Sequence, residues 1–121
     1  MTVAYWIIAG LLALLYLWSG GMKIARSRAQ LQPMMHWVDD MPMPAVRAIG
    51  VAEVLGAIGL IVPPLTGIAP ALALAAAIGL LILQLAATTF HLRRGEKENI
   101  GLNIGLVVVT GVLVWLATIW L

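Results

Sequence analysis

One stretch constrains this chain more than any other: Arg47–Pro64, RAIGVAEVLGAIGLIVPP. It is apolar enough, and long enough, to cross the hydrocarbon core of a bilayer, which takes about 20 residues of helix (range about 17–25). Glu53 nevertheless sits near its middle. An acidic or basic side chain at that depth costs roughly 2.5 to 3.5 kcal/mol on insertion scales. A carboxylate held there calls for polar partners at the same depth on other helices.

The rest of the chain has the same character. Of its 121 residues, 63% are hydrophobic and 10% charged, and the mean hydropathy is +1.05. A soluble domain of this size needs far more polar surface, so the composition specifies an integral membrane protein. The length suits one domain, 1–121, holding four spans of about 20 residues each. The predicted fold class is all-α: a membrane four-helix bundle, with a short interfacial helix between helices 1 and 2. Net charge is +2, but the basic residues are too few and too localised for nucleic acid, and membrane orientation explains them better. Cys is absent, which removes disulfides, thiol redox chemistry, Fe–S clusters and cysteine–zinc sites. With two His, one of them in a loop, no haem or other metal site is expected.

The spans are expected at about 3–22, 45–62, 68–92 and 100–121. The first lacks the basic leader of a cleavable signal peptide, and its apolar run is too long for one. Tyr5 and Trp6 suit a membrane interface, while Tyr16, Ser19 and Lys23 share one helix face. Taken alone, Lys23 reads as a snorkelling anchor. The long polar connection Ile24–Pro44 places Leu31, Met34, Met35 and Val38 at helical spacing, and this is the predicted interfacial helix. Its Met residues read as membrane-facing fillers and His36 as a solvated loop residue. Gly50, Ala52, Gly56 and Gly59 permit close helix approach in the second span, which Pro63-Pro64 ends. Arg47 lies about 240° around the helix from Glu53 and is expected among lipid headgroups. Gln84, Thr88 and His91 form a polar stripe on the third span, and Asn99 and Asn103 lie one turn apart at the start of the fourth. All Lys and Arg fall in or beside the first and third connections, so the positive-inside rule puts both connections in the cytoplasm and both termini outside.

Counting about 1.5 Å per residue from the charged ends aligns these groups by depth. Glu53 lies roughly 12 Å in, level with Tyr16 and Gln84. Ser19, Thr88 and Asn103 come one layer shallower, with Lys23, His91 and Asn99 at the rim. For Ser19, Thr88 and Asn103, interhelical hydrogen bonding is a sufficient role, worth about 0.6 kcal/mol per bond. For Glu53 a functional role leads, and Lys23 and His91 are its candidate partners.

These residues, in these places, resemble the DoxX-like family of small four-helix membrane proteins. The resemblance rests on SGGMK (Ser19–Lys23), the RAIGVAEVLGAIGLIVPPLTGIAP block (Arg47–Pro70), HLRRGE (His91–Glu96) and a following Asn at the start of the last helix. It implies a four-helix bundle, multi-pass in a bacterial plasma (inner) membrane. Some relatives are associated with membrane redox systems, as quinone-reactive subunits or as partners of oxidative-stress enzymes, and most have no established activity.

The leading expectation is therefore a protein that binds a quinone- or lipid-like amphiphile in its polar column, as a subunit or partner of a membrane redox system. Tyr16, Trp18 and aliphatic side chains would hold the apolar part. Lys23, Glu53, Gln84 and His91 would contact the head, with Ser19, Thr88 and Asn103 nearby, and Glu53 or His91 could exchange protons with it. No cofactor motif is evident, and a quinone is the one candidate. No catalytic set emerges, so enzymatic activity stays open. So do two alternatives: a proton-coupled transporter using Glu53, although only Thr66, Thr110 and Thr118 are polar in the outer halves, and a structural subunit that assembles another membrane complex. The expected partners are the bilayer, a lipophilic small molecule, a membrane redox partner and a second copy of the chain. The second copy would meet the Gly101–Gly105 GxxxG pair, which lies about 200° from Asn103.

Overall fold

Long runs of Leu, Ala, Ile and Val, free of charge except where noted above, have no water to bond their backbone in a bilayer and satisfy it by coiling into helix. A computed structural model describes residues 1–95 and 100–121, with His36 and Trp37 described by their backbone alone. Its helices are α1 (Thr2–Ala25), α2 (Arg28–Leu31), α3 (Met43–Thr66), α4 (Leu72–Arg93) and α5 (Ile100–Ala117), the last extended by a 3-10 turn, Thr118–Trp120. All but α2 are long and apolar enough to cross a membrane. The 24 residues of α1 and of α3 extend about 36 Å, somewhat more than a hydrocarbon core of about 30 Å. The chain forms a four-helix membrane bundle, and no strand occurs among the described residues.

Around the bundle, α1 packs on α3, α3 on α4 and α4 on α5, while α1 and α5 meet least closely. Glycines set the two contacts of α3. A Cβ added at Gly50 would come within 2.7 Å of the Gly20 carbonyl oxygen, and one at Gly20 within 2.7 Å of the Gly50 carbonyl oxygen. The α1 and α3 backbones therefore touch at this crossing. On the opposite side, a Cβ at Gly56 would strike the Leu80 side chain and one at Gly59 would lie 2.8 Å from the Ala76 Cβ. In lipid, where apolar side chains gain nothing by leaving water, such close backbone packing is what holds helices together.

The second span runs past its expected end. Pro63 and Pro64 lie inside α3, which stops at Gly67 in the left-handed conformation (φ +74). Prolines have no N–H, so Pro64 leaves the carbonyl of Leu60 without its helical donor. The Tyr5 hydroxyl supplies one, at 2.6 Å. Tyr5 is accordingly fully buried rather than interfacial. Its ring packs edge-on against Trp6 and Trp120, with centroids 5.5 and 5.4 Å away. Together with Leu12, Leu60, Leu113 and Leu116 it fills the end of the bundle that carries the termini.

The connection between α1 and α3 contains the expected helix in two pieces. A capping box starts α2: the Ser27 Oγ accepts from the Gln30 N–H and the Gln30 side chain accepts from the Ser27 N–H. Pro33 cannot extend the ladder, and the chain resumes as a 3-10 turn over His36–Asp40. Leu31 and Val38 are fully buried against Met22 and Val46, so the apolar face of this segment turns toward the bundle. Arg28 secures it by donating to the carbonyls of Val38 and Met41, the latter at 3.0 Å. Arg47 also differs from expectation. Its guanidinium donates to the carbonyl of Lys23, at 2.6 Å, and to that of Arg26. The last turn of a helix leaves its carbonyls without helical donors at the negative end of the dipole. A cation on the neighbouring helix is held there in preference to headgroups.

Candidate functional site

The Gly20–Gly50 crossing explains how a lysine and a glutamate meet inside the bundle. Lys23 follows Gly20 by three residues and Glu53 follows Gly50 by three. Each side chain lies over the bare backbone of the opposite glycine: a Cβ at Gly50 would come 2.8 Å from the Lys23 Cβ, and one at Gly20 3.0 Å from the Glu53 Cβ. The Lys23 ammonium bonds the Glu53 carboxylate through Oε1 and also donates to the Ser19 hydroxyl at 2.9 Å. With Lys23 7% and Glu53 4% exposed, this is an internal ion pair, and Lys23 is not a snorkelling anchor.

A second group of polar residues continues across the bundle. The Tyr16 hydroxyl donates to Gln84 Oε1 at 3.4 Å, and Gln84 Nε2 donates to Asn103 Oδ1 at 3.5 Å, both long for hydrogen bonds. Tyr16, Gln84 and Asn103 are all buried, and they join α1, α4 and α5. Thr88 points elsewhere. Its hydroxyl donates to the Gln84 carbonyl of its own helix at 2.8 Å, the ordinary way for a threonine to satisfy itself inside a helix. Thr110, in the half of α5 set aside above as lacking a polar path, is fully buried and lies close to the Tyr16 hydroxyl. Its position seven residues along from Asn103 was the available signal.

These groups border a cavity of about 480 Å³. Tyr16, Ser19, Lys23, Glu53, Gln84, His91 and Asn103 all line it, and Thr88 does not. The remaining wall is apolar and includes Trp18, Phe90 and Leu106. His91 stands beside Phe90 near the end of α4, their rings edge to face at 6.4 Å. Met34, Met35 and Met41, from the α1–α3 connection, close the charged end, so the methionines expected to face lipid line the cavity as well. Asp40 ties that connection to α4 through Arg94 at 2.9 Å. Trp18 on α1 and Leu102 on α5 both line the cavity and are largely exposed, which opens it sideways at the loosest seam of the bundle. The rim position expected for Asn99 and the role expected for the His36 side chain lie outside the described residues.

On the buried residues that line the cavity, two polar atoms have no hydrogen-bond partner among the described residues: Glu53 Oε2 and Asn103 Nδ2. Buried polar groups are nearly always paired, and each exception invites an explanation.

Fold and site together define a small multi-pass membrane protein: a four-helix bundle with a buried ion pair and an internal cavity bordered by polar groups. The chain belongs to the DoxX-like family, whose sequence model matches residues 7–117. Comparison with curated proteins returned no match, and comparison with solved structures returned none.

Proposed function

We propose that the protein binds the head of a quinone- or lipid-like amphiphile in this cavity, as a subunit or partner of a membrane redox system. The observation that carries the binding reading is the cavity itself. It has ligand-sized volume, aromatic and aliphatic walls and a few polar groups drawn from all four long helices, the usual make-up of a small-molecule site. Trp18, Phe90 and Leu106 would hold the apolar body, while Lys23, Glu53, Gln84 and His91 would meet the head. A bound quinone would supply reversible electron and proton uptake at its ring oxygens. This chain's contribution would be to orient that ring and keep it out of the surrounding lipid. The redox setting rests on kinship with the family. Binding is favoured over proton-coupled transport because Tyr5, Leu12, Leu60, Leu113 and Leu116 pack the opposite half of the bundle with mainly apolar side chains.

The test is mass spectrometry of lipids retained after gentle purification. A co-purifying amphiphile, near one per chain, is expected with the wild type. Retention should fall in Glu53→Gln and in Leu106→Trp, which replaces an aliphatic side chain of the cavity wall by a bulky indole. Equal retention in all three proteins, or none in the wild type, would sink the proposal. The identity of the retained molecule separates quinone from lipid.

A further inference from the structure

The two unpartnered atoms also specify the chemistry of the head group. An ionised carboxylate only accepts hydrogen bonds, and a lysine ammonium only donates. Lys23 takes Glu53 Oε1, so what remains at Oε2 is a vacant acceptor. The polarity at Asn103 is read from the bonds of its neighbours. The Tyr16 hydroxyl donates to Gln84 Oε1, which turns the Gln84 amide nitrogen toward Asn103, where it donates to Oδ1. The end of Asn103 left over is therefore its NH2 group, a vacant donor. Both residues are more than nine-tenths buried, and both line the cavity.

A ligand that completes the site must donate to Glu53 and accept from Asn103. A carbonyl or ether head can only accept, which serves Asn103 and leaves Glu53 unmet. An anionic head would be set against the Glu53 carboxylate, and an ammonium head would lack an acceptor for Asn103 and would crowd the Lys23 cation. A neutral hydroxyl carries both the donor and the acceptor in one group. Resting on the cavity-binding reading above, we infer that the site selects amphiphiles with a neutral hydroxyl-bearing head, Glu53 reading the O–H and Asn103 reading the oxygen.

Tritiated 4-decylphenol, 4-decylanisole and decylbenzene separate these contributions, since they share a ring and chain and differ in the oxygen and its proton. Saturable binding is measured to the full chain in lipid nanodiscs, with empty nanodiscs as background. In the wild type the phenol should bind about tenfold more tightly than the anisole, the scale of one hydrogen bond to a charged group. The anisole should in turn bind more tightly than decylbenzene. In Glu53→Gln, Lys23 still claims the side-chain oxygen, so the amide places its NH2 where the acceptor stood, and the preference for phenol over anisole should vanish. In Asn103→Leu both oxygenated probes should weaken together and keep their ratio. Equal binding of phenol and anisole by the wild type would overturn the inference while leaving the cavity reading intact. A phenol preference that survives Glu53→Gln would overturn the role of Glu53, and if that variant does not fold, the wild-type ratio and Asn103→Leu still decide. Absence of saturable binding by all three probes would remove the cavity reading along with the inference.

Discussion

At the scale of single residues, the Lys23–Glu53 pair is the costliest object in the bundle, and its two halves are not equivalent. Removing Lys23 strands a carboxylate among apolar helices. Replacing Glu53 by Gln leaves a side chain that still accepts from Lys23. Breaking a buried ion pair from one side typically costs about 3–5 kcal/mol, far more than losing an exposed one. Lys23→Met should therefore destabilise the bundle more than Glu53→Gln does. In the double variant the effects should be non-additive by about 0.5–3 kcal/mol, read from unfolding in mixed micelles. Strict additivity would show that the two groups do not sense each other. Helical rise alone set Glu53 level with Tyr16 and Gln84 and put Lys23 at the rim, because position along a helix is linear in residue number, and the reach of the lysine stem down to Glu53 is not in that count. Thr88 shows the limit of that argument: it matches in depth, but its hydroxyl bonds its own helix, a choice of side-chain direction that spacing does not encode.

At the scale of elements, the glycines of α3 and α5 look alike in the sequence and do opposite things. Gly50 is pressed against the Gly20 backbone, whereas Gly101 and Gly105 have open space where a Cβ would go. An added methyl at Gly50 must push α1 and α3 apart and pull Lys23 away from Glu53. Gly50→Ala should cost about 1–3 kcal/mol, as overpacking does. Gly101→Ala should be neutral or slightly stabilising, since Ala is a better helix former by up to about 1 kcal/mol. Thermal unfolding of the two variants in the same detergent checks the contrast, and equal losses would refute the assignment of the crossing. The small residues of the second span were readable as close-approach sites. Which glycine meets which partner was not, because it depends on how the helices cross. Arg47 follows the same logic: its angle from Glu53 was correct geometry, but the acceptors it finds belong to the end of α1.

For the whole molecule, association and orientation each follow from where small and charged residues lie. The GxxxG face of α5 points away from the bundle, so its close-packing partner, if it has one, is another chain. Replacing Gly101 and Gly105 by Ile should convert a homodimer to folded monomer, measured as mass in detergent. An unchanged mass would exclude this seam. Orientation follows from the clustered Lys and Arg. With no native Cys, single cysteines are clean probes. Cysteines replacing Ala29 or Arg93 should resist an impermeant thiol reagent in intact cells, while those replacing Thr2 or Thr66 should label. The reverse pattern would overturn the charge argument.

What the sequence by itself determined is the solvent and the architecture. Too few polar residues to face water, and four stretches each long enough to cross lipid, leave a helical membrane bundle as the one way to satisfy every backbone group. It also marked Glu53 as the group needing explanation, since a carboxylate at that depth in hydrocarbon is costly until a partner meets it, and depth is readable along a single helix. Only the tertiary structure decided how that cost is met and what is left over. Lys23 reaches Glu53 because two bare glycines let the backbones touch. Tyr5 leaves the interface because Pro64 frees a buried carbonyl. The Tyr16–Gln84–Asn103 chain hands its polarity across three helices until one donor remains. Each of these is a relation between segments far apart in the chain, set by crossing angle and side-chain direction, and local periodicity carries no information about either.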